Sequence, residues 1–340
     1  MKIKKILATL IFLFILVLTL LYLEQKQENE KPQENCGNLS IYIINVSQAD
    51  SILIITPQNK TILIDSGSSI TKNSSKAVVE FLKARGVKTV DIFIATHYHE
   101  DHIGGVPLIF KNFEVKQAYD NGNCGNYSSE SQRKYVEYTK LINRKIVSKN
   151  EQLNIDNCIN SSIIVPYATM GCQPSHKDTK LENENSIVVY IKYKNTSFLL
   201  AGDCEQKCET ELVKRYNISA NLLKINHHGS DTSSTEEFLS MANATYFVVS
   251  TNKDRSAELN YYHPRAAMLS RIYIHGARLG TFFRTDLNGN IAITSDGTKI
   301  NVEADYLVDE CELFSGYYSN NFYSYKPIEE LKQKCANNLN

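Results

Sequence analysis

The chain has 340 residues, 37 basic and 37 acidic, with 42% hydrophobic and 22% charged side chains. Those fractions belong to a folded globular protein and exclude a disordered chain. The net charge of +0 removes the whole-molecule field that draws a protein to nucleic acid, while a local basic groove stays compatible with it.

Met1-Lys2-Ile3-Lys4-Lys5 is basic, and Ile6 to Leu23 is apolar apart from Ala8, Thr9, Thr19 and Tyr22. A run of about 18 apolar residues can cross a bilayer, so residues 1–23 are predicted to be a transmembrane segment. No Ala-x-Ala site follows Leu23, which favours an uncleaved signal anchor; cleavage would instead release a secreted form. Lysines before the run and the acidic, polar Glu24 to Glu34 after it place the N-terminus in the cytoplasm. The expected product is a single-pass protein of the cell membrane whose folded part is extracytoplasmic.

Residues 24–35 lack apolar periodicity and contain Pro32, so they read as a linker. A globular domain is predicted over 36–304, and the Tyr-rich tail 305–340, with Cys311 and Cys335, as a disulfide-tied extension. All eight cysteines (36, 124, 158, 172, 204, 208, 311 and 335) follow the apolar segment, an even number that suits structural disulfides in an exported chain. No pair has Cys-x-x-Cys spacing, and Cys204 and Cys208 are expected only to share a helix face.

Strand-length runs rich in β-branched and aromatic residues recur at Leu39–Val46, Ser51–Thr56, Thr61–Asp65, Val90–Ala95, Ser162–Val165, Ser186–Tyr193, Ser197–Ala201, Leu222–Ile225 and Thr245–Ser250. Helical patterns separate them at Ser75–Arg85, Glu130–Asn143, Glu205–Tyr216, Thr235–Ala242 and Pro264–Ile274. Interleaved strands and helices without a repeat predict an α/β fold, an αββα sandwich of two sheets covered by helices.

The strand Asp91 to Thr96 empties into His97-Tyr98-His99-Glu100-Asp101-His102 and then Gly104-Gly105. A His-x-His pair can direct two imidazoles at one metal, and Asp101-His102 can turn to a second; nitrogen and carboxylate ligands suit Zn²⁺. Asp203 ends the apolar strand Phe198 to Ala201 and is the expected bridging ligand, with helix N-capping as its bland alternative. Another strand runs into His227-His228-Gly229-Ser230. His227 is the expected second-metal ligand, with His228 either the ligand instead or a proton donor facing the substrate. His263, before Pro264 at a helix start, can contact a phosphate or protonate a leaving group. His275, near a helix end before Gly276, reads as having no role at the site, and His176, in a Cys/Pro/Lys-rich loop, leans the same way.

In order along the chain, Val46-Ser47-Gln48-Ala49-Asp50-Ser51, Leu63-Ile64-Asp65-Ser66-Gly67, the His97–His102 loop, Asn183-Glu184-Asn185-Ser186, Ala201-Gly202-Asp203, Lys224-Ile225-Asn226-His227-His228-Gly229-Ser230 and Arg284-Thr285-Asp286-Leu287-Asn288-Gly289 form a pattern. It resembles the metallo-β-lactamase superfamily and, within it, the extracellular hydrolase domain of the DNA-uptake protein ComEC, over roughly Leu39 to Ile300. The resemblance implies a metallo-β-lactamase-type sandwich and two divalent ions, zinc or manganese. Their ligands would come from His97, His99, Asp101, His102, Asp203 and His227, with Asp50 and Asp65 orienting ligand imidazoles. Many members carry another histidine before the bridging aspartate; here that turn reads Leu181 to Ser186 and holds none, so the first metal has His97, His99 and Asp203, or borrows Asn183 or His176. Ser47 and Ala49 stand where the ComEC element has glycines.

The implied chemistry is hydrolysis by a hydroxide held between two metals. Asp101, Lys224, His228 and His263 are the expected catalytic groups, and Arg284 a further charge stabiliser. A phosphodiester substrate, single-stranded DNA or RNA, is the leading expectation. The alternatives are another hydrolase on the same scaffold (a phosphorylcholine-type phosphodiesterase, lactonase or lactamase) and a non-catalytic metal-binding surface module.

Overall fold

The computed structural model describes residues 13–19, 36–122, 129–166, 180–317 and 326–337. The chain divides into two units, Met1–Cys36 and Gly37–Asn340. In the first, residues 13–19 are helical, and no helix among the described residues is long and apolar enough to cross a membrane. The rest of the anchor expected at 1–23, and the linker 24–35, lie outside the described residues.

In the second unit the chain first lays down β1 (Leu39–Ile43), β2 (Ile52–Ile55), β3 (Thr61–Ile64), β4 (Thr89–Ile94), β5 (Glu114–Asp120) and β6 (Asn143–Ile146). It then forms a second sheet from β7 (Glu151–Gln152), β8 (Asn160–Ile164), β9 (Val188–Tyr193), β10 (Thr196–Leu200), β11 (Leu222–Lys224), β12 (Tyr246–Val249) and β13 (Phe282–Arg284). It returns with β14 (Ile291–Ser295) and β15 (Ile300–Ala304), and β14 pairs antiparallel with β1. The sheet orders are β15-β14-β1-β2-β3-β4-β5-β6 and β13-β12-β11-β10-β9-β8-β7.

β3 to β6 are parallel, as are β10 to β13. Strands such as β3 (TILI) and β11 (LLK) are buried along their whole length, which is why they read as unbroken apolar runs rather than alternating ones. Among the described residues, two of the buried clusters pack strands against helices, while Ile41, Ile62, Ile191, Phe198 and Val248 are buried outside both. One joins Leu63, Phe93 and Ala118 to Val78 and Leu82 of the helix Ser74–Ala84. The other joins Leu199, Leu223 and Phe247 to Phe238, Leu269 and the C-terminal Ile328 and Leu331.

The expected helix Glu130–Asn143 stops at Thr139, and Asn143 begins β6. Thr139 Oγ1 turns back onto Tyr135 O at 2.8 Å, and Arg144 Nε reaches Asp120 Oδ2 at 2.7 Å, drawing the chain into register with β5. Cys204 lies just before the helix Gln206–Arg215 and forms a disulfide with Cys208, more than the shared helix face read from the spacing. A second disulfide, Cys311 to Cys335, joins the helices Glu310–Leu313 and Lys326–Asn337.

Candidate metal centre

In parallel α/β sheets, sites form beyond the carboxyl ends of the strands. Here those ends deliver Asp65 after β3, the loop 96–105 after β4, Asp203 after β10, His227 and His228 after β11, and Ser250 after β12.

Asp65 organises the loop. Its Oδ1 accepts Thr96 N at 2.8 Å, and its Oδ2 accepts Thr96 Oγ1 and lies 2.8 Å from His102 Nδ1. That contact lets His102 Nδ1 donate to Asp65 and turns Nε2 toward Asp203 Oδ2 at 3.3 Å; burial opposes charge on this ring, but Asp203, Asp65 and Asp101 outweigh it and hold its pKa well above the ordinary histidine value. Glu100 fastens the loop from the outside, accepting Ser68 Oγ at 2.6 Å and Ser69 N at 2.5 Å. Gly202 has φ +55, and a Cβ there would press on Thr96, so the Asp203 turn can approach the histidine loop only with glycine.

Two sets of donors meet on Asp203. His97, His99 and Asp203 form one compact group, with His97 Nε2 3.0 Å from His99 Nδ1 and 3.9 Å from Asp203 Oδ2. His102, His228 and Asp203, together with Asp50, form the other. His228 Nε2 lies 3.2 Å from Asp101 Oδ2 and 3.6 Å from Asp203 Oδ1, and His228 Nδ1 is 3.0 Å from Ser250 O.

These donor sets fit divalent ions. Ligand atoms around a tetrahedral centre bonded at about 2.0 Å are roughly 3.3 Å apart, close to the spacings seen. His102 Nε2, His228 Nε2 and Asp203 Oδ1 are buried with no hydrogen-bond partner among protein groups, which is costly unless a cation satisfies them.

The electrostatics point the same way. Burial opposes charge on Asp203, but His102, His228 and His227 outweigh it and hold its carboxyl well below the usual range. Burial also opposes charge on His228, yet Asp203, Asp50 and Asp101 push its pKa up to about 9. His97 goes the other way: burial, with His102 and His99 beside it, keeps it well below the ordinary histidine value.

Of the adjacent histidines, His228 is the one that joins Asp101, His102 and Asp203. His227, 21% exposed, places Nε2 3.8 Å from Asp203 Oδ2 and Nδ1 2.9 Å from Glu205 Oε1, a close contact that falls short of an aligned hydrogen bond. Both histidines adopt left-handed backbone, φ 47 and 53, a strained conformation held by the turn around Asn226. Asn226 Nδ2 donates to the buried Glu209, which also accepts Ser234 N and Thr235 N. Asn183 Nδ2 lies 3.1 Å from Glu205 Oε1 and 3.4 Å from His227 Nε2.

The centre opens into a cavity of about 650 Å³ whose wall includes His99, Asp101, Asn183, His263, Tyr261 and Arg265. His263 is nearly buried, its ring 5.3 Å from that of His227. Burial and the neighbouring His227, His228 and Arg265 hold it well below the ordinary histidine value.

Two expected charge stabilisers sit elsewhere. Arg284 is fully buried, donating to Leu313 O at 3.0 Å and Ser315 O and pairing with Asp286, so it ties the C-terminal segment instead of meeting a substrate. Lys224 lies beneath the site with Nζ 2.7 Å from Asp50 Oδ2, a contact that holds Asp50 rather than reaching the cavity. His275 pairs with Glu236 at 2.6 Å, and His176 lies outside the described residues. Glu205 was not anticipated as part of the site; its only signal was an acid two residues beyond Asp203.

The sandwich and its histidine-aspartate centre place the chain in a class. It belongs to the metallo-β-lactamase superfamily, whose sequence profile matches residues 44–251, and that fold implies divalent metal ions. It is 28% identical over 266 residues to ComE operon protein 3 of Bacillus subtilis, covering 73% of this chain and 32% of that protein. Competence protein ComA of Neisseria gonorrhoeae is 27% identical over 252 residues, 74% of this chain and 31% of that protein. The chain thus spans about a third of the length of these relatives. Among solved structures, zinc-bound PqqB from Methylobacterium extorquens aligns at 11% identity with a TM-score of 0.47, covering 75% of this chain and 99% of that one.

Proposed function

We propose that this protein is a metal-dependent phosphodiesterase that acts on single-stranded nucleic acid outside the membrane, tethered by its N-terminal apolar segment. The observation that carries the reading is Asp203, buried and shared by two donor sets at the floor of an open cavity. The similarity to two competence proteins supports nucleic acid as substrate. So does a 25% identity over 158 residues to Endoribonuclease ysh1 of Emericella nidulans, 41% of this chain and 18% of that protein.

His97, His99 and Asp203 would hold one ion, and Asp101, His102, His228 and Asp203 the other; zinc suits this donor set, and manganese is the second choice. Such ions, when bound, supply Lewis acidity toward a phosphoryl oxygen and acidify water. The protein's own part is orientation. Asp101 and Asp203, held ionised by the imidazoles around them, keep acceptor oxygens at the cavity floor that would orient an attacking water. Arg265 in the cavity wall offers guanidinium hydrogen bonds to phosphate oxygens. His263, neutral in this setting, is better placed to hydrogen-bond a substrate oxygen than to protonate a leaving group.

A second reading rests on the cavity's charge. Glu100, Glu205 and Asp231 accompany Arg265, the one lysine or arginine among the described lining residues, a balance that suits a phosphorylcholine-type ester with a cationic head. The test is the full chain loaded with Zn²⁺ or Mn²⁺ and offered single-stranded DNA, RNA, a phosphorylcholine ester, a lactone and a lactam. Chelator-sensitive cleavage of the nucleic acids is the expected result. Intact nucleic acids beside a cleaved phosphorylcholine ester would favour the second reading, and turnover of no substrate despite bound metal would favour a non-catalytic module.

A further inference from the structure

We infer that His227, oriented by Glu205, takes the place of the absent histidine at the first metal position. The inference rests on the metal-binding part of the reading above, not on the choice of substrate.

His97, His102 and His228 share one plan. In each, Nδ1 meets a fixed protein oxygen: Thr96 Oγ1 at 3.2 Å, Asp65 Oδ2 at 2.8 Å and Ser250 O at 3.0 Å. In each, Nε2 then faces Asp203, at 3.9, 3.3 and 3.6 Å. An imidazole held this way keeps a ligating lone pair aimed at the centre. His227 is placed in a similar way, its Nδ1 2.9 Å from Glu205 Oε1, though not in an aligned hydrogen bond, and its Nε2 3.8 Å from Asp203.

Its distance from the shared carboxylate matches that of His97. His227 Nε2 and His97 Nε2 stand 3.8 and 3.9 Å from Asp203 Oδ2, an oxygen that His102 also approaches at 3.3 Å, while His228 faces Oδ1. Among the described residues, the position served by His97 and His99 has Asp203 as its third donor and is one short of the other group, Asp50, His102, Asp203 and His228.

The missing donor leaves its trace in the same corner. Asn183 lies in the short helix Lys180–Glu184, in the stretch where the expected histidine is missing, and its Nδ2 is 3.4 Å from His227 Nε2 and 3.1 Å from Glu205 Oε1. A shorter amide thus borders the very imidazole that can enter the vacated direction, and it steadies the carboxylate that aims that imidazole. Its Oδ1 is buried without a partner, a further oxygen available beside the ion. The left-handed backbone at His227, φ 47, is a conformation a bulky residue keeps only when its surroundings require it.

The experiment strips the full chain of metal, titrates it with Zn²⁺ against a chromophoric chelator and counts bound ions by mass spectrometry. Glu205→Gln, His227→Ala and, as a comparison in the same cavity, His263→Gln are measured alongside, with thermal unfolding of each metal-free variant as the folding control. Wild type and His263→Gln should bind two ions and His227→Ala one. Glu205→Gln should keep two sites, with the weaker one loosened by about 10- to 100-fold. Two ions at wild-type affinity in His227→Ala, or a single ion in wild type, would overturn the inference. Because the readout is bound metal, a wild type that holds two ions and cleaves no nucleic acid would sink the phosphodiesterase reading while leaving this one intact.

Discussion

Lys224 Nζ lies 2.7 Å from Asp50 Oδ2, and neither side chain is more than 2% exposed. A buried pair of this kind adds little net stability over an apolar one, but removing one partner strands the other charge. Lys224→Met is therefore expected to destabilise the metal-free protein by about 3–5 kcal/mol in urea denaturation. Adding Asp50→Asn should recover much of the loss. A single variant as stable as wild type would show that the pair does not carry the charge balance under His228.

Asp203→Asn keeps the shape of the shared side chain while removing the negative charge that faces His102 and His228 at 3.3 and 3.6 Å. Any hydrolytic activity is expected to fall by about 10²–10³-fold or more, and bound metal should drop with it. Steady-state rates paired with metal analysis check both. Retention of activity would move the catalytic centre away from Asp203.

Much of this cluster could be read along the chain because its candidate ligands are packed into short strand-end motifs. His97, His99, Asp101 and His102 sit in one loop, and Asp203 ends an apolar strand, so local spacing already indicates the chemistry. The choice between His227 and His228 was not local: both have positive φ, and the turn set by Asn226 and Glu209 decides which ring faces Asp101. Arg284 misled for the opposite reason, since its partners Leu313 and Ser315 lie in a segment far along the chain. Among the strands, β5 went unread because Glu114, Lys116 and Gln117 interrupt its apolar pattern, and the edge strand β6 because it is nearly all polar.

Metal uptake should be coupled to pH. In the metal-free protein His228 has its pKa raised to about 9, so at pH 7 it carries a proton that a ligating imidazole must lose. A raised histidine pKa contributes stability that is complete below the unfolded value near 6.5 and disappears as pH rises through about 9. Apparent Zn²⁺ affinity is therefore expected to climb between pH 6.5 and about 9, with proton release on binding. Calorimetry in buffers of different ionisation enthalpy measures that release. His102, whose pKa is also held well above the ordinary value, contributes to the same release, so binding heats independent of buffer at pH 7 would mean that neither His102 nor His228 gives up a proton to ligate.

Tyr98, between the two histidines of the His-x-His pair, is anchored from behind. Its hydroxyl donates to Asp120 Oδ1 at 2.9 Å and accepts Arg144 Nη2 at 2.5 Å, while Arg144 Nε and Tyr135 OH bond Asp120 Oδ2 at 2.7 and 2.8 Å. Asp120 is fully buried, so the guanidinium is what balances its charge. Arg144→Leu should cost about 3 kcal/mol of stability and, by loosening the 3.0 Å meeting of His97 and His99, weaken Zn²⁺ binding by about 10-fold. Arg144→Lys should recover part of the stability but little of the affinity, because an ammonium cannot span Asp120 and Tyr98 with a fixed fork. Guanidinium denaturation and chelator competition separate the two effects. A leucine variant with wild-type Zn²⁺ affinity would show that this cluster stabilises the fold without setting the geometry of the histidine pair.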